Sequence, residues 1–235
     1  MAIQVRILPA PELYLRDPQD TDLGRRILST SIRLMDELGL EAFTFKKLAS
    51  ELSSAEASVY RYFSNKHQLL LYLVNWYWDW VHHLVNRAIA GKVEPDDRLK
   101  AAIGALTRPF LENPGVPYID ERKLHQLVIS EGSKAYHTKS VDQENNKGVF
   151  LGYKSLSDEI SNLLLQINPE FPYPLPLAPS LFDMAHNLPY FAFPLPRLPE
   201  LTPFDHLTYR LPSMLSFLTP LLLTSPPVTF LSPLS

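Results

Sequence analysis

No cysteine occurs in the 235 residues, which excludes disulfides, thiolate nucleophiles and cysteine-based metal sites and is compatible with a reducing compartment. No apolar run reaches the ~18 residues that a membrane-spanning helix requires. Between residues 1 and 20, charges and prolines interrupt every apolar stretch, so no secretory signal is expected there. The expectation is a soluble, cytoplasmic protein without membrane contact. Glycine is scarce, with 8 residues, and none is grouped into a phosphate-cradling loop; an HExxH run and a Ser/His/Asp order are also missing. No enzyme reading therefore has a motif behind it, and no cofactor is implied. His82 and His83 are adjacent, hence on different sides of a helix, so no metal site is expected. The formal net charge is −3, so the chain is not a basic nucleic-acid coat and any contact with nucleic acid must rest on a local surplus.

Such a surplus lies in Thr44 to Lys66, TFKKLASELSSAEASVYRYFSNK, where Lys46, Lys47, Arg61 and Lys66 stand against Glu51 and Glu56. Thr44 is an N-cap candidate, and Leu48, Ala49 and Leu52 follow at helical spacing, which predicts a helix from about Phe45 to Leu52. Ser53 and Ser54 compete for backbone hydrogen bonds and break the pattern. Ala55, Val59 and Phe63, four apart, then predict a second helix whose other face turns Glu56, Ser58, Tyr60, Arg61 and Tyr62 outward. Two helices joined by a three- or four-residue turn form the device that lays its second helix in the major groove.

The surrounding chain reads as helical too. Asp20 or Thr21 can cap a helix running to Leu38, with Leu23, Ile27, Ser31, Leu34 and Leu38 inward and Gly39 as its stop. Ala42 with Phe43 or Phe45 would complete a small core with Leu48, Val59 and Phe63. Ser64 or Asn65 caps a long helix to about Ala90, apolar on nearly every face near its three tryptophans, Trp76, Trp78 and Trp80, and so in need of cover. Further helices are expected over residues 96–111, 118–138 and 148–167, the last two after the breaker ENPGVP and before Asn168-Pro169. Residues 1–19 read as a loosely packed or disordered arm, because Arg6 and Arg16 are balanced by Glu12 and Asp17. Asp158 and Glu159 read as a solvated face.

Arg25-Arg26-Ile27-Leu28, Leu34, Gly39, Thr44, Leu48-Ala49, Leu52, Val59-Tyr60-Arg61-Tyr62-Phe63, Lys66 and Leu69-Leu70 resemble, in identity and spacing, the N-terminal domain of the TetR/AcrR family of bacterial transcriptional regulators. The resemblance covers residues 20 to 75. It departs at Ser53, where the family usually has Gly, at Ser54, usually apolar, and at Glu56, usually neutral or basic. It implies an all-α fold: an arm (1–19), a three-helix helix-turn-helix domain (20–66), a helical effector-binding and dimerisation domain (67–170), and an irregular Pro-rich segment (171–235). It further implies a homodimer on double-stranded DNA, most often a repressor, answering to a small-molecule effector. Thr44, Lys46, Tyr60 and Lys66 are the candidates for phosphates, with the Tyr60 ring packed on the scaffold. Ser54, Glu56, Ser58 and Arg61 would lie nearest base edges, Arg61 toward guanine and Glu56 toward a cytosine amine. Effector candidates are Trp76, Trp80, His83, His125, Glu131 and Tyr136, chosen as polar-tipped groups in apolar helices. A protein-interaction module that kept the three-helix core and lost DNA binding is the alternative.

From Phe171 the composition changes. Of the 22 prolines, 14 lie in residues 171–235, beside five charged residues and no lysine. Proline spacing there predicts only short helices, at 180–188 and 213–218, in place of the two long helices that usually end family members and form their dimer interface. Three readings fit: a Pro-rich extended tail, an irregular substitute for the missing helices, or a shifted reading frame. The last is suggested because Pro, Leu, Ser and Phe make up 43 of these 65 residues and most of their codons begin with two pyrimidines.

Overall fold

The first helix forms because a hydroxyl and a glycine punctuate an apolar stripe. In the computed structural model, which describes residues 6–107, 116–136 and 149–191 (side chains to Asn187, without Tyr136), α1 spans Asp22–Ala42. Thr21 caps it by accepting from the Gly24 N–H at 3.0 Å. Ile27, Ser31 and Leu34 are buried as the stripe predicts, and Leu28, Ile32 and Met35 widen the buried face. Leu38 is 42 % exposed, a correction: it sits just before Gly39, whose φ of 74° and ψ of 161° break the helical path. That region is nearly closed to any residue with a Cβ.

Seven further α-helices follow, and no strand occurs among the described residues: α2 Phe45–Glu51, α3 Glu56–Tyr60, α4 Lys66–Ile89, α5 Pro95–Leu106, α6 Glu121–Tyr136, α7 Leu151–Ile167 and α8 Pro174–Phe191. Contacts divide the chain into two compact units, Met1–Leu84 with Arg108–Ser155, and Val85–Thr107 with Leu156–Ser235. The partition differs from a boundary at residue 66. The first part of α4 belongs with the helix-turn-helix because Phe63 and Tyr14 set their rings edge-on to Tyr72 at 5.4 and 5.9 Å.

In the first unit Phe43, Phe45, Leu48, Val59 and Phe63 are buried together, whereas Ala42 is exposed at the end of α1. The α4 segment from Leu69 to Trp78 is buried on every side. The leading residues are not loose. Two single-turn segments, Pro11–Leu13 and Pro18–Asp20, lie on the domain, with Ile7 and Leu13 buried. Arg6 bonds Asp17 and Asp20 at 2.7 and 2.6 Å, Leu15 N–H donates to the Tyr62 carbonyl at 2.8 Å, and the Arg16 guanidinium lies 5.6 Å from the centre of the Tyr62 ring. Charge balance alone concealed these pairings.

In the second unit, Leu99, Ile103 and Leu106 of α5, Ile160, Leu163 and Leu164 of α7, and Leu181, Phe182 and Ala185 of α8 are buried. Glu159 is not merely solvated, since Arg98 reaches it at 3.3 Å. Helix α8 contains the short helix expected at 180–188 and corrects its bounds: one helix runs through Pro174, Pro176, Pro179 and Pro189. Pro174 and Pro176 fall in its first turn, where an N–H has no intrahelical acceptor and its loss costs nothing. Only Pro179 and Pro189 interrupt the ladder. The helix expected at 213–218 lies outside the described residues, as do the ends of those expected to reach 111 and 138.

Candidate nucleic-acid interface

Helix α2 starts at Thr44, whose side chain accepts from the Lys47 N–H at 3.2 Å, and ends at Leu52, a buried anchor. Ser53 then takes φ 50°, the single non-glycine residue at positive φ among those described. Left-handed backbone costs an L-residue about 1–2 kcal/mol, a cost a glycine does not carry. Ser53→Gly is therefore expected to raise stability by about 0.5–1 kcal/mol after the extra freedom of the unfolded glycine is subtracted. Denaturant midpoints at unchanged slope would measure it, and a lower midpoint would mean that the turn is not strained.

Helix α3 is shorter than its spacing predicts, ending at Tyr60 with Arg61 as its cap. Val59 and Phe63 point inward, but Ala55 is exposed and Tyr62 is 2 % exposed. Tyr62 thus leaves the outward set. Because the helix stops before it, the residue turns under the domain, where its hydroxyl and that of Thr21 are 2.7 Å apart. Tyr60 is 46 % exposed, with its ring edge-on to Phe45 at 5.0 Å. Arg61 is exposed beside it and donates to the Ser58 hydroxyl at 3.1 Å. Ser54, Glu56 and Ser58 are half-buried along the same short helix and its entry.

The cations divide by what already holds them. Lys66 begins α4, but its ammonium donates to the carbonyls of Leu40, Glu41 and Phe43 at 2.9, 3.1 and 3.3 Å. Those carbonyls are orphaned by the Gly39 break, and three acceptors exhaust three ammonium protons. With its protons so engaged, Lys66 has no donor to spare for the expected phosphate. Lys47 gives one proton to the Ala42 carbonyl at 2.8 Å and keeps two. It was not among the sequence candidates, and exposure in the first turn of α2 is what marks it. Lys46 is exposed, with no partner among the described residues. Glu51 is held by Arg33 at 2.6 Å, a guanidinium that Glu37 shares at 3.1 Å, so among the described residues Glu56 is the carboxylate of residues 44–66 without a cation.

Residues 27–73 match the model of the bacterial regulatory proteins of the tetR family. The match runs from Ile27 of α1 through α2 and α3 into the start of α4. Its fold is shared, at low identity, with solved structures. A tetR-family regulatory protein from Rhodococcus RHA1 superposes with a TM-score of 0.62 at 14% identity over 83% of this chain and 95% of that one. KstR2, a ketosteroid transcriptional regulator of Mycobacterium tuberculosis, gives 0.53 at 15% identity over 73% and 84%. AibR in complex with isovaleryl coenzyme A and operator DNA gives 0.51 at 19% identity over 68% and 83%. A comparison with curated proteins finds no match.

The effector candidates fall into two groups. Trp76 and Trp80 stack at 5.9 Å and 24°, and Trp80 stacks on His83 at 5.6 Å and 22°. His125, buried in α6, bonds through Nδ1 to the Tyr77 hydroxyl at 2.8 Å. Tyr77 is a partner no sequence spacing indicates. The Trp76 indole N–H is buried without an acceptor among the described residues. Glu131 is held by Lys134 at 2.8 Å, which favours a structural role for it. The side chain of Tyr136 lies outside the described residues. No helix of the described residues is long and apolar enough to cross a membrane, and none of their His, Asp and Glu side chains form a group of three able to hold a metal.

Proposed function

We propose that this protein is a sequence-specific DNA-binding transcriptional regulator, a repressor that acts as a dimer and responds to a small effector. The observation that carries the reading is the two-sidedness of residues 44–63: Phe45, Leu48, Val59 and Phe63 are buried, while Lys46, Tyr60 and Arg61 are exposed. Exposed cations hold phosphates without regard to sequence, and a guanidinium near base edges discriminates among them. In this reading Thr44, Lys46, Lys47 and Tyr60 position the backbone, and Ser54, Glu56, Ser58 and Arg61 face the bases. Two such heads would sit about 34–36 Å apart on one face of the duplex. The AibR complex, which holds both an acyl coenzyme A and operator DNA, supports the pairing of the two ligands in one fold. The Trp76–Trp80–His83 stack, with its unmet indole donor, is the favoured effector contact. Binding there would shift operator affinity only by preferring one arrangement of the dimer.

Duplexes selected from a random pool test the reading. On the selected sequence, Arg61→Ala is expected to lose about 1–3 kcal/mol of discrimination against substituted sites. Lys46→Ala should instead weaken all duplexes alike and flatten the salt dependence by about one phosphate contact. Lys66→Ala should act through stability, since its protons serve carbonyls. Equal losses for Arg61→Ala and Lys46→Ala on every duplex, or a selection that enriches no sequence, would overturn the assignment.

A further inference from the structure

Positions 22, 25, 26 and 29 of α1 fall on one stripe of the helix, and the chain at Pro117 and Tyr118 lies across it, enclosing a cleft of about 280 Å³ lined by Asp22, Arg25, Arg26, Ser29, Pro117 and Tyr118. This is slightly below the ~300–1,000 Å³ range of sites for drug-sized molecules. Its two arginines are anchored by main-chain oxygens rather than by acids. Arg25 donates through one Nη1–H to the Gln19 carbonyl at 2.8 Å, and Arg26 through Nη2 to the Leu52 carbonyl at 3.0 Å. Neither has a carboxylate partner among the described residues. Each guanidinium has five N–H donors in a planar fork, so most of the donors on both remain uncommitted while their positions are fixed.

The wall opposite is fixed as well. The Tyr118 hydroxyl donates to Gln19 Oε1 at 2.9 Å, and the buried Gln19 amide donates to the Ile7 carbonyl at 2.6 Å. Tyr118 can still accept a hydrogen bond. Ser29 donates to the Arg26 carbonyl at 3.1 Å, so its oxygen can still accept. Asp22 pairs with neither arginine, so the cleft carries a net single positive charge and offers acceptors beside its donors.

We propose that this cleft is a binding site for a small anion, one that presents a carboxylate or phosphate to the Arg25 and Arg26 forks and a hydroxyl or ammonium donor to Asp22 or Tyr118. Planar forks bind such groups in pairs of charge-assisted bonds, and positions already held in place lose little freedom on binding. None of residues 44–63 and none of the tryptophans lines the cleft, and Arg26 meets the turn between α2 and α3 only through the Leu52 carbonyl. The site does not depend on the DNA-binding reading, because its ligand is measured without DNA.

Inorganic phosphate, whose protonated form also carries a donor, is the probe. Against chloride at equal ionic strength, phosphate should raise the unfolding midpoint saturably, as a ligand of the native state does, and give a one-site calorimetric isotherm. Arg25→Gln and Arg26→Gln should each weaken that binding by about tenfold or more, the value of a charged hydrogen bond. Ser29→Glu keeps both anchors and supplies a tethered carboxylate; it should raise the midpoint without phosphate and abolish the response to it. A response that is the same in wild type and Ser29→Glu, or none up to about 100 Kd of a typical weak site (~mM), would overturn the proposal. So would Gln variants that bind phosphate normally but lose affinity for duplex DNA, because the forks would then serve the DNA backbone.

Discussion

Gly24→Ala is expected to cost this protein far more stability than Gly132→Ala. A Cβ built on Gly24 falls 2.2 Å from the Pro18 carbonyl oxygen, 2.6 Å from Pro18 Cα and 2.7 Å from its carbonyl carbon. All three atoms are backbone, so no side-chain rotation relieves the overlap. The Pro18–Asp20 turn must move away from α1, and with it go the Gln19 contacts to Ile7 and Tyr118 and the Arg25 bond to the Gln19 carbonyl. Overpacking at an unyielding site costs about 3 kcal/mol or more, and for a chain of this size the midpoint should fall by about 6–12 °C. Gly132→Ala is the control. Its Cβ would meet only the Val128 Cγ1 atom at 3.5 Å, so helix propensity should make it neutral to slightly stabilising, by up to about 1 kcal/mol. Parallel thermal melts decide the matter. Equal midpoints for the two variants would mean that the leading turn does not bear on α1 as described.

That turn shows where sequence reading stopped. Caps, stripes and stops are local, so the Thr21 and Thr44 caps, the break at Gly39 and the buried set of Phe45, Leu48, Val59 and Phe63 could be read from spacing. What failed was settled by distant partners or by backbone direction. Tyr62 followed the outward face of an ideal helix, yet α3 ends at Tyr60, and the next residues turn the ring beneath Arg16 and toward Thr21. The helix position of Lys66 suits a phosphate, and the sequence does not show that the kink at Gly39 presents it with three carbonyls. In α8 the error was to count prolines without asking which of them fall in the first turn. For the effector candidates, Trp76 and Trp80 could be paired by their four-residue spacing, whereas the Tyr77–His125 bond joins separate helices and leaves no local trace.

Replacing Asp79 by asparagine is expected to stabilise the protein at neutral and alkaline pH and to change it little in acid. Asp79 faces Gly152, the second residue of α7, so closely that a Cβ there would lie 2.0 Å from its Oδ1 and 3.0 Å from its backbone nitrogen. No cation or hydrogen-bond donor among the described residues compensates the carboxylate, and burial pushes its pKa from 3.8 to about 7. Between these values the folded chain holds a proton that the unfolded chain has released. Stability from this group therefore falls as pH rises from about 4 to about 7 and stays at its lower level above. At ~1.4 kcal/mol per tenfold change in proton affinity, the full penalty is on the order of 4 kcal/mol as an upper limit. Buried His186 in the second unit acts with the opposite slope: burial lowers its pKa from 6.5 to about 4, so its contribution is lost as pH falls through that window. The two slopes oppose each other between about pH 4 and 6.5, and from there to about 7 the slope from Asp79 is no longer offset by that from His186. Asp79→Asn should remove the decline between pH 6.5 and 7.5 and add up to a few kcal/mol at pH 8, while a small hydrogen-bonding side chain still faces Gly152. Urea midpoints across pH 4 to 8 test this, and parallel curves for wild type and variant would show that Asp79 stays ionised throughout.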